Sequence, residues 1–308
     1  MYSGRYKHLM TARTNTTRFR FIGMICLLTL CSVLADAIDP NFTGVRLIRN
    51  VEYLGPERTE KLDLYLPSDN NGSKHPGIII VHGGGWFGGD KFELREQITG
   101  TTLARCGYVC VSINYALSEP NKPTWLQSIY DCKTAVQFLR KNADTCNVDA
   151  NHIGVIGGSA GGHLAAMLGV ANSDVCLEPN ESQYQGVSTR VQAVVDMYGI
   201  TDLTKWKSQN ACQRYLGCSY QQMPQLYVKA SPLSHISHDD PPFLIIHGTK
   251  DTVVEMEQSL EFMAKLKSNG VPVELIRVAD APHAFHLQPS QQDIRPIVIH
   301  FFDTYLKK

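Results

Sequence analysis

The sequence predicts an α/β fold, with a mostly parallel central sheet and helices on both faces. From residue 40 onward, short apolar runs alternate with helix-period segments. Several runs are continuously apolar, such as "GIIIV" at 77–81, as strands covered on both faces should be. Two runs lead straight into glycine-rich turns, "HGGG" at 82–85 and "GGSAGG" at 157–162. In a parallel sheet the loops beyond the carboxyl ends of the strands are where ligands bind.

Early strands are expected around Val45–Leu47 and Leu62–Leu66, the second alternating as "KLDLYLP". Runs at 77–81, 108–115, 153–156, 191–198, 243–248 and 273–278 complete the set. Between them lie helical spacings. Leu126, Ile129, Cys132, Val136 and Leu139 recur at three- and four-residue intervals. Met256, Leu260, Met263 and Ala264 do so later, as do Ile294, Ile297, Val298, Phe301, Phe302 and Tyr305. Residues 205–241 are polar, aromatic-rich and weakly periodic. That is long for a bare loop, so they read as a cap-like insertion with short helices over the strand ends.

Residues 1–37 differ from the rest. Arg5, Lys7, Arg13, Arg18 and Arg20 make them basic, and no acidic residue precedes Asp36. An apolar stretch runs from Phe21 to Leu34, followed by "ADA". Basic, apolar and small-residue regions in that order predict a secretory signal peptide. The stretch is short for a spanning helix, which needs about 20 residues; an uncleaved N-terminal anchor is the alternative. Residues 38–308 then form one domain, secreted or periplasmic, with no stable membrane span after cleavage.

Lysine plus arginine and aspartate plus glutamate both number 29, a balance that points to no nucleic-acid partner. Of nine cysteines, Cys26 and Cys31 would leave with the signal. Export favours pairing among the rest, and Cys212 and Cys218 are close enough for a local bridge. Cys110, inside an apolar run, reads as a plain core residue. Asn41, Asn71 and Asn180 open N-x-[ST] sequons, relevant only in a glycosylating host.

"IGVIGGSAGGH" at 153–163 contains G-x-S-x-G, with an apolar run before it and the helix-compatible "HLAAMLGV" after it. Strand, tight turn and helix are the setting in which this motif exposes a nucleophilic serine, here Ser159. A serine hydroxyl needs a base. "VADAPHAFHL" offers His283 and His286, and His283 is preferred for its position in a turn after proline. The acid should follow an earlier strand. Asp251, in "FLIIHGTKDTVV", is chosen over Asp196 and Asp202 because its loop precedes a helix and the strand leading to His283. Such an acid fixes the imidazole tautomer. Acyl transfer also needs donors aimed at a developing oxyanion. Gly84, Gly85 and Ala160 are the expected backbone donors, with His82 bracing the loop. A phosphate loop is excluded by the missing Gly-Lys-Ser/Thr. Trp86 is a candidate for lining the substrate pocket, with Trp206 and Tyr215 from the insertion. No metal or cofactor is expected.

Taken together, "HGGGWFGGDK", "SINYALSE", "SIYDCKTAVQFLRKNA", "VDANHIGVIGGSAGGHLAAMLG", "ASPLSHISHDDPPFLIIHGTKD" and "DAPHAF" resemble the α/β-hydrolase esterase and lipase family with an HGGGW oxyanion loop. The likeness is to its hormone-sensitive-lipase-like and secreted carbohydrate-esterase branches and covers most of residues 55–306. It implies the α/β-hydrolase fold and a serine ester hydrolase with the triad Ser159, Asp251 and His283. It also implies donors at Gly84, Gly85 and Ala160. The acid loop reads "DTVVE" where relatives often carry prolines, and "PHAF" stands where glycine often follows the histidine. Neither departure removes a functional group. The implied partner is a small-molecule or polysaccharide-linked ester, with short-chain acyl, acetyl and feruloyl esters in view. The alternatives are a formamidase or amidase with the same residues, and a non-catalytic adhesion-like module.

Overall fold

The computed structural model describes residues 42–68, 72–172, 174–179 and 181–307. The predicted signal peptide at 1–37 and the sequon residues Asn41, Asn71 and Asn180 lie outside them. Among the described residues, eight strands form one sheet. They are β1 (Val45–Glu52), β2 (Lys61–Pro67), β3 (His75–Val81), β4 (Val109–Ile113), β5 (Val148–Gly158), β6 (Ala193–Met197), β7 (Phe243–Gly248) and β8 (Val273–Val278). Their spatial order is β1-β2-β4-β3-β5-β6-β7-β8. β2 runs antiparallel to β1 and to β4, and every pairing from β4 through β8 is parallel. All eight predicted runs are strands. β5 starts at Val148, ahead of its apolar run, and its pairing to β3 is irregular between Pro76 and Gly77.

The helices are α1 (Leu94–Arg105), α2 (Trp125–Lys141), α3 (Ala160–Val170), α4 (Gln209–Leu216), α5 (Pro224–Lys229), α6 (Met256–Ser268) and α7 (Arg295–Leu306). α1 and α7 cover one face of the sheet. Leu103 and Phe302 join Ile78, Ile80, Ile156, Val195, Leu244 and Ile246 in one core there. On the other face, Phe243 meets Phe262 of α6 edge-on at 5.4 Å and lies against Gly169 of α3. A fully buried Ile, Leu or Phe contributes about 1.5–3 kcal/mol relative to exposure. With both faces covered, the central strands are therefore continuously apolar rather than alternating. No helix among the described residues is long and apolar enough to cross a membrane.

α1 has no counterpart in the predicted periodicities. It buries Glu96, Thr99, Gly100, Leu103 and Ala104, an inner face too polar and small to show an apolar stripe. Gly100 lets it approach the ring of Tyr65, where a Cβ would stand only 2.8 Å away.

The expected Cys212–Cys218 bridge does not form, and all seven described cysteines are free thiols. Cys212 is buried inside α4. Cys218 lies beyond Gly217, whose left-handed φ of 82° turns the chain away from the helix.

Candidate active site

Sheet register brings the two glycine-rich turns together. Val81 pairs with Gly157, and Gly158 with Met197. The chain therefore leaves β3, β5 and β6 at one level. Gly248 pairs with Val278 in the same way, which places the Asp251 and His283 loops side by side.

Ser159 sits on the turn between β5 and α3 with φ 58° and ψ −123°. Such a backbone costs a non-glycine residue about 1–3 kcal/mol and persists only where its surroundings enforce it. Its N–H donates to Met197 O at 2.9 Å, and α3 starts at the next residue. The turn closes because its neighbours lack side chains. A Cβ on Gly157 would overlap the Gly161 carbonyl, and one on Gly161 would overlap the Val81 carbonyl.

Three side chains stand in one hydrogen-bonded line. His283 Nε2 is 2.9 Å from Ser159 Oγ, and His283 Nδ1 is 2.6 Å from Asp251 Oδ2. An ionised carboxylate only accepts, so Nδ1 carries the proton and Nε2 is left to accept from the serine hydroxyl. Asp251 Oδ1 accepts from the N–H groups of Val253 and Val254, each at 2.9 Å. Burial pushes this carboxyl up, but hydrogen bonds from His247, His283 and the Val254 N–H outweigh it. They hold Asp251 well below the usual carboxylate range. His247 is itself fixed by Ser259 Oγ at 2.7 Å and Val254 O at 2.9 Å.

The rival residues are engaged elsewhere. His286 Nδ1 accepts from the Gln288 N–H. Asp202 accepts from the N–H and hydroxyl of Thr204. Asp196 is buried and accepts from the Gly199 N–H, and desolvation raises its carboxyl to about 6.

The "HGGG" turn lies directly against the serine turn. A Cβ on Gly83 would stand 2.9 Å from Gly158 O and 3.5 Å from Ser159 Cβ. Gly84 and Gly85 have left-handed φ values of 105° and 61°. Their N–H groups donate to no protein acceptor among the described residues. Ala160 is the first residue of α3, where a helix leaves its N–H groups unpaired. His82 braces the loop as expected. Its Nδ1 donates to Gly83 O at 2.7 Å, and its ring stacks on Tyr115 at 4.4 Å. Burial lowers its pKa to about 4, so the ring is neutral at pH 7.

Trp86, expected as a pocket-lining residue, is instead fully buried. Its ring stacks on Tyr215 of α4 at 4.5 Å and meets Trp206 edge-on at 5.7 Å. Its Nε1 donates to His163 Nδ1 at 3.1 Å, and His163 Nε2 donates to Ala230 O at 2.8 Å. Trp206 and Tyr215 are likewise buried in this stack. Trp86 thus fastens residues 205–241 to the glycine turn. Trp206 Nε1 donating to Val253 O fastens them to the Asp251 loop. Phe87, next in the chain, is 44% exposed, with Arg214 4.5 Å over its ring.

Two neighbours of the site, Tyr198 and Arg95, escaped the sequence reading. Tyr198 reads as the tail of an apolar run, and Arg95 lies in a polar stretch without periodicity. Nothing local marks either one.

Sheet order, the strained serine turn and the convergent loops define an α/β-hydrolase fold. Within it, the chain belongs to the BD-FAE family, whose pattern matches residues 62–266. It is 32% identical over 255 residues to Esterase LipC of Mycobacterium tuberculosis (strain ATCC 25618 / H37Rv), covering 78% of this chain and 60% of LipC. It is 33% identical over 238 residues to Esterase LipQ of the same organism, covering 75% of this chain and 55% of LipQ. The chain thus spans a little over half the length of these relatives. Among solved structures, it resembles a truncated form of carbohydrate esterase from gut microbiota, with a TM-score of 0.79 and 26% identity. That likeness covers 89% of this chain and 100% of the other. The acetyl ester-xyloside bifunctional hydrolase from Caldicellulosiruptor lactoaceticus gives 0.69 at 26% identity, covering 81% of this chain and 89% of that one.

Proposed function

We propose that the chain is a secreted serine carboxylic-ester hydrolase that acts through an acyl-enzyme. The observation that carries this reading is the line Ser159–His283–Asp251, with separations of 2.9 and 2.6 Å. In the first half-reaction Ser159 Oγ attacks the ester carbonyl while His283 Nε2 takes its proton. The amides of Gly84, Gly85 and Ala160 hold the oxyanion. His283 returns the proton to the departing alcohol, and the acyl group stays on Ser159. In the second half-reaction His283 takes a proton from water, which attacks the acyl carbonyl; His283 then returns the proton to Ser159 Oγ as the acid leaves. Asp251 stabilises the imidazolium in both halves.

The names of the structural neighbours, a carbohydrate esterase and an acetyl ester-xyloside hydrolase, support short acyl esters on carbohydrates as substrates. They favour an ester over a formamide. Export rests on the basic and apolar pattern of residues 1–37; N-terminal sequencing of protein recovered outside the cytoplasm tests it.

A fluorophosphonate probe tests the mechanism. Wild type should label and Ser159→Ala should not. Equal labelling of both, or none of wild type, overturns the reading. Hydrolysis of acetylated xylan, methyl ferulate and an N-formyl aryl amine by unlabelled wild-type enzyme then ranks the substrate classes.

A further inference from the structure

Tyr198 lies one residue beyond β6 with a left-handed φ of 44°, uncommon for a bulky side chain. Its N–H donates to Ile246 O at 2.7 Å, which holds that conformation. The result is a ring set edge-on against two residues of the histidine loop. Its centroid is 5.0 Å from that of His283 and 4.7 Å from that of Phe285. Its hydroxyl is 2.5 Å from the Phe285 carbonyl oxygen and 3.2 Å from Arg95 Nη1.

Arginine only donates. Arg95 therefore fixes the direction of the chain of bonds, and the Tyr198 proton is committed to the Phe285 carbonyl. Arg95 is held in turn by Glu96, which accepts from its Nε at 2.8 Å and also from its Nη2. The guanidinium fills the space that a side chain on Gly158 would occupy, immediately before Ser159. One connected unit therefore touches both the serine turn and the histidine loop.

That loop needs an anchor. Ala284, between His283 and Phe285, has φ 64°, and Asp280 has φ 58°. Both are left-handed values that disfavour a residue with a Cβ. Left alone, Ala284 would relax toward negative φ and turn the His283 ring off its line. The bond from Tyr198 to Phe285 O clamps the far side of Ala284, and the Tyr198 ring supports the imidazole itself.

We propose that Tyr198, braced by Arg95, is a positioning residue that keeps the His283 imidazole aligned with Ser159 Oγ. This rests on the reading of Ser159, His283 and Asp251 as catalytic. His283 moves a proton in both half-reactions, so its misalignment lowers turnover and leaves ground-state binding alone. A displacement of about 1 Å can cost about a hundredfold; loss of the hydroxyl with the ring retained should cost about tenfold.

The test measures kcat and KM on p-nitrophenyl acetate, per serine titrated with fluorophosphonate, for wild type, Tyr198→Phe, Arg95→Lys and the double variant. Tyr198→Phe should lower kcat about tenfold, with KM within about twofold. Arg95→Lys keeps the charge beside Glu96 but loses the planar fork, and should lower kcat in the same way. The double variant should be no worse than the weaker single, because both act through one hydroxyl. A merely structural role would reduce the titratable fraction and leave kcat per serine intact. That result, a change confined to KM, or effects that multiply in the double variant, overturns the proposal. If Tyr198→Phe does not fold, the kcat–KM split of Arg95→Lys decides. Ser159→Ala separates the two readings. If it labels like wild type, the catalytic assignment fails; if it is inert while Tyr198→Phe matches wild type, only the positioning role fails.

Discussion

Val81 and Gly157 stand opposite each other in the parallel ladder of β3 and β5. Because the strands are parallel and in this register, the glycine turn after Val81 and the serine turn after Gly157 emerge at the same edge. About 75 residues of intervening chain cross over to make that meeting possible, as parallel connections require.

The glycine turn is intolerant of a side chain at the positions proposed as oxyanion donors. A Cβ on Gly84 would overlap the Gly88 carbonyl oxygen, at a φ of 105° that L side chains rarely adopt. Gly84→Ala should therefore move the amides from the oxyanion position. Loss of one such donor costs about a hundred- to a thousandfold in kcat. Steady-state kinetics should show that loss while circular dichroism remains that of wild type; a kcat within threefold of wild type would remove Gly84 from the site.

Asp251→Asn keeps the shape of the acid but loses the charge that fixes the imidazole tautomer. Turnover should fall about a thousand- to ten-thousandfold. The same carboxylate also bears on stability. Its folded pKa is depressed, so its contribution is present above the unfolded value of about 4 and is lost as pH falls below it. Urea unfolding should show the stability gap between wild type and Asp251→Asn constant above about pH 5 and narrowing progressively as pH falls below about 4.

Trp86 is a packing residue joined to Tyr215, Trp206 and His163. Trp86→Ala should cost about 3–5 kcal/mol of unfolding free energy, as large-to-small changes at buried aromatics do. Chemical denaturation checks this. A stable Trp86→Ala variant with only a raised KM would restore the pocket-lining expectation.

His163 receives the Trp86 N–H and is neutral because burial lowers its pKa to about 4. The unfolded chain binds this proton first, near pH 6.5. The stability contributed by neutral His163 is thus complete above pH 6.5 and is lost as pH falls toward 4. His163→Gln does not titrate. The stability gap between wild type and this variant should narrow by about 2 kcal/mol from pH 7 to pH 4.5. A gap that stays constant across that range would mean that folding does not lower the pKa of His163.

The sequence by itself determined the strands, the parallel architecture and the three residues, Ser159, His283 and Asp251, that stand in one hydrogen-bonded line. Each leaves a local mark. Continuous apolar runs signal strands covered on both faces, as in β3 and β7. A serine among glycines between strand and helix signals a strained turn. Glycines after β3 signal a backbone that must come close to another chain segment. The path through a helix and a strand to the histidine loop singled out Asp251 over Asp196, and the turn after proline singled out His283 over His286.

Tertiary structure decided what depends on contacts between distant segments. Trp86 follows the glycine turn in sequence, yet Tyr215 covers its face from the insertion, so it packs and lines nothing. Cys212 and Cys218 are near in sequence, yet the left-handed turn at Gly217 separates them. α1 is stabilised by close approach to Tyr65 and a polar inner face, neither of which has a periodic signature. Tyr198 and Arg95 reach the site through bonds that span 87 and 103 residues. A hydrogen bond between remote positions leaves no pattern in either segment, and only the packed sheet brings its two ends together.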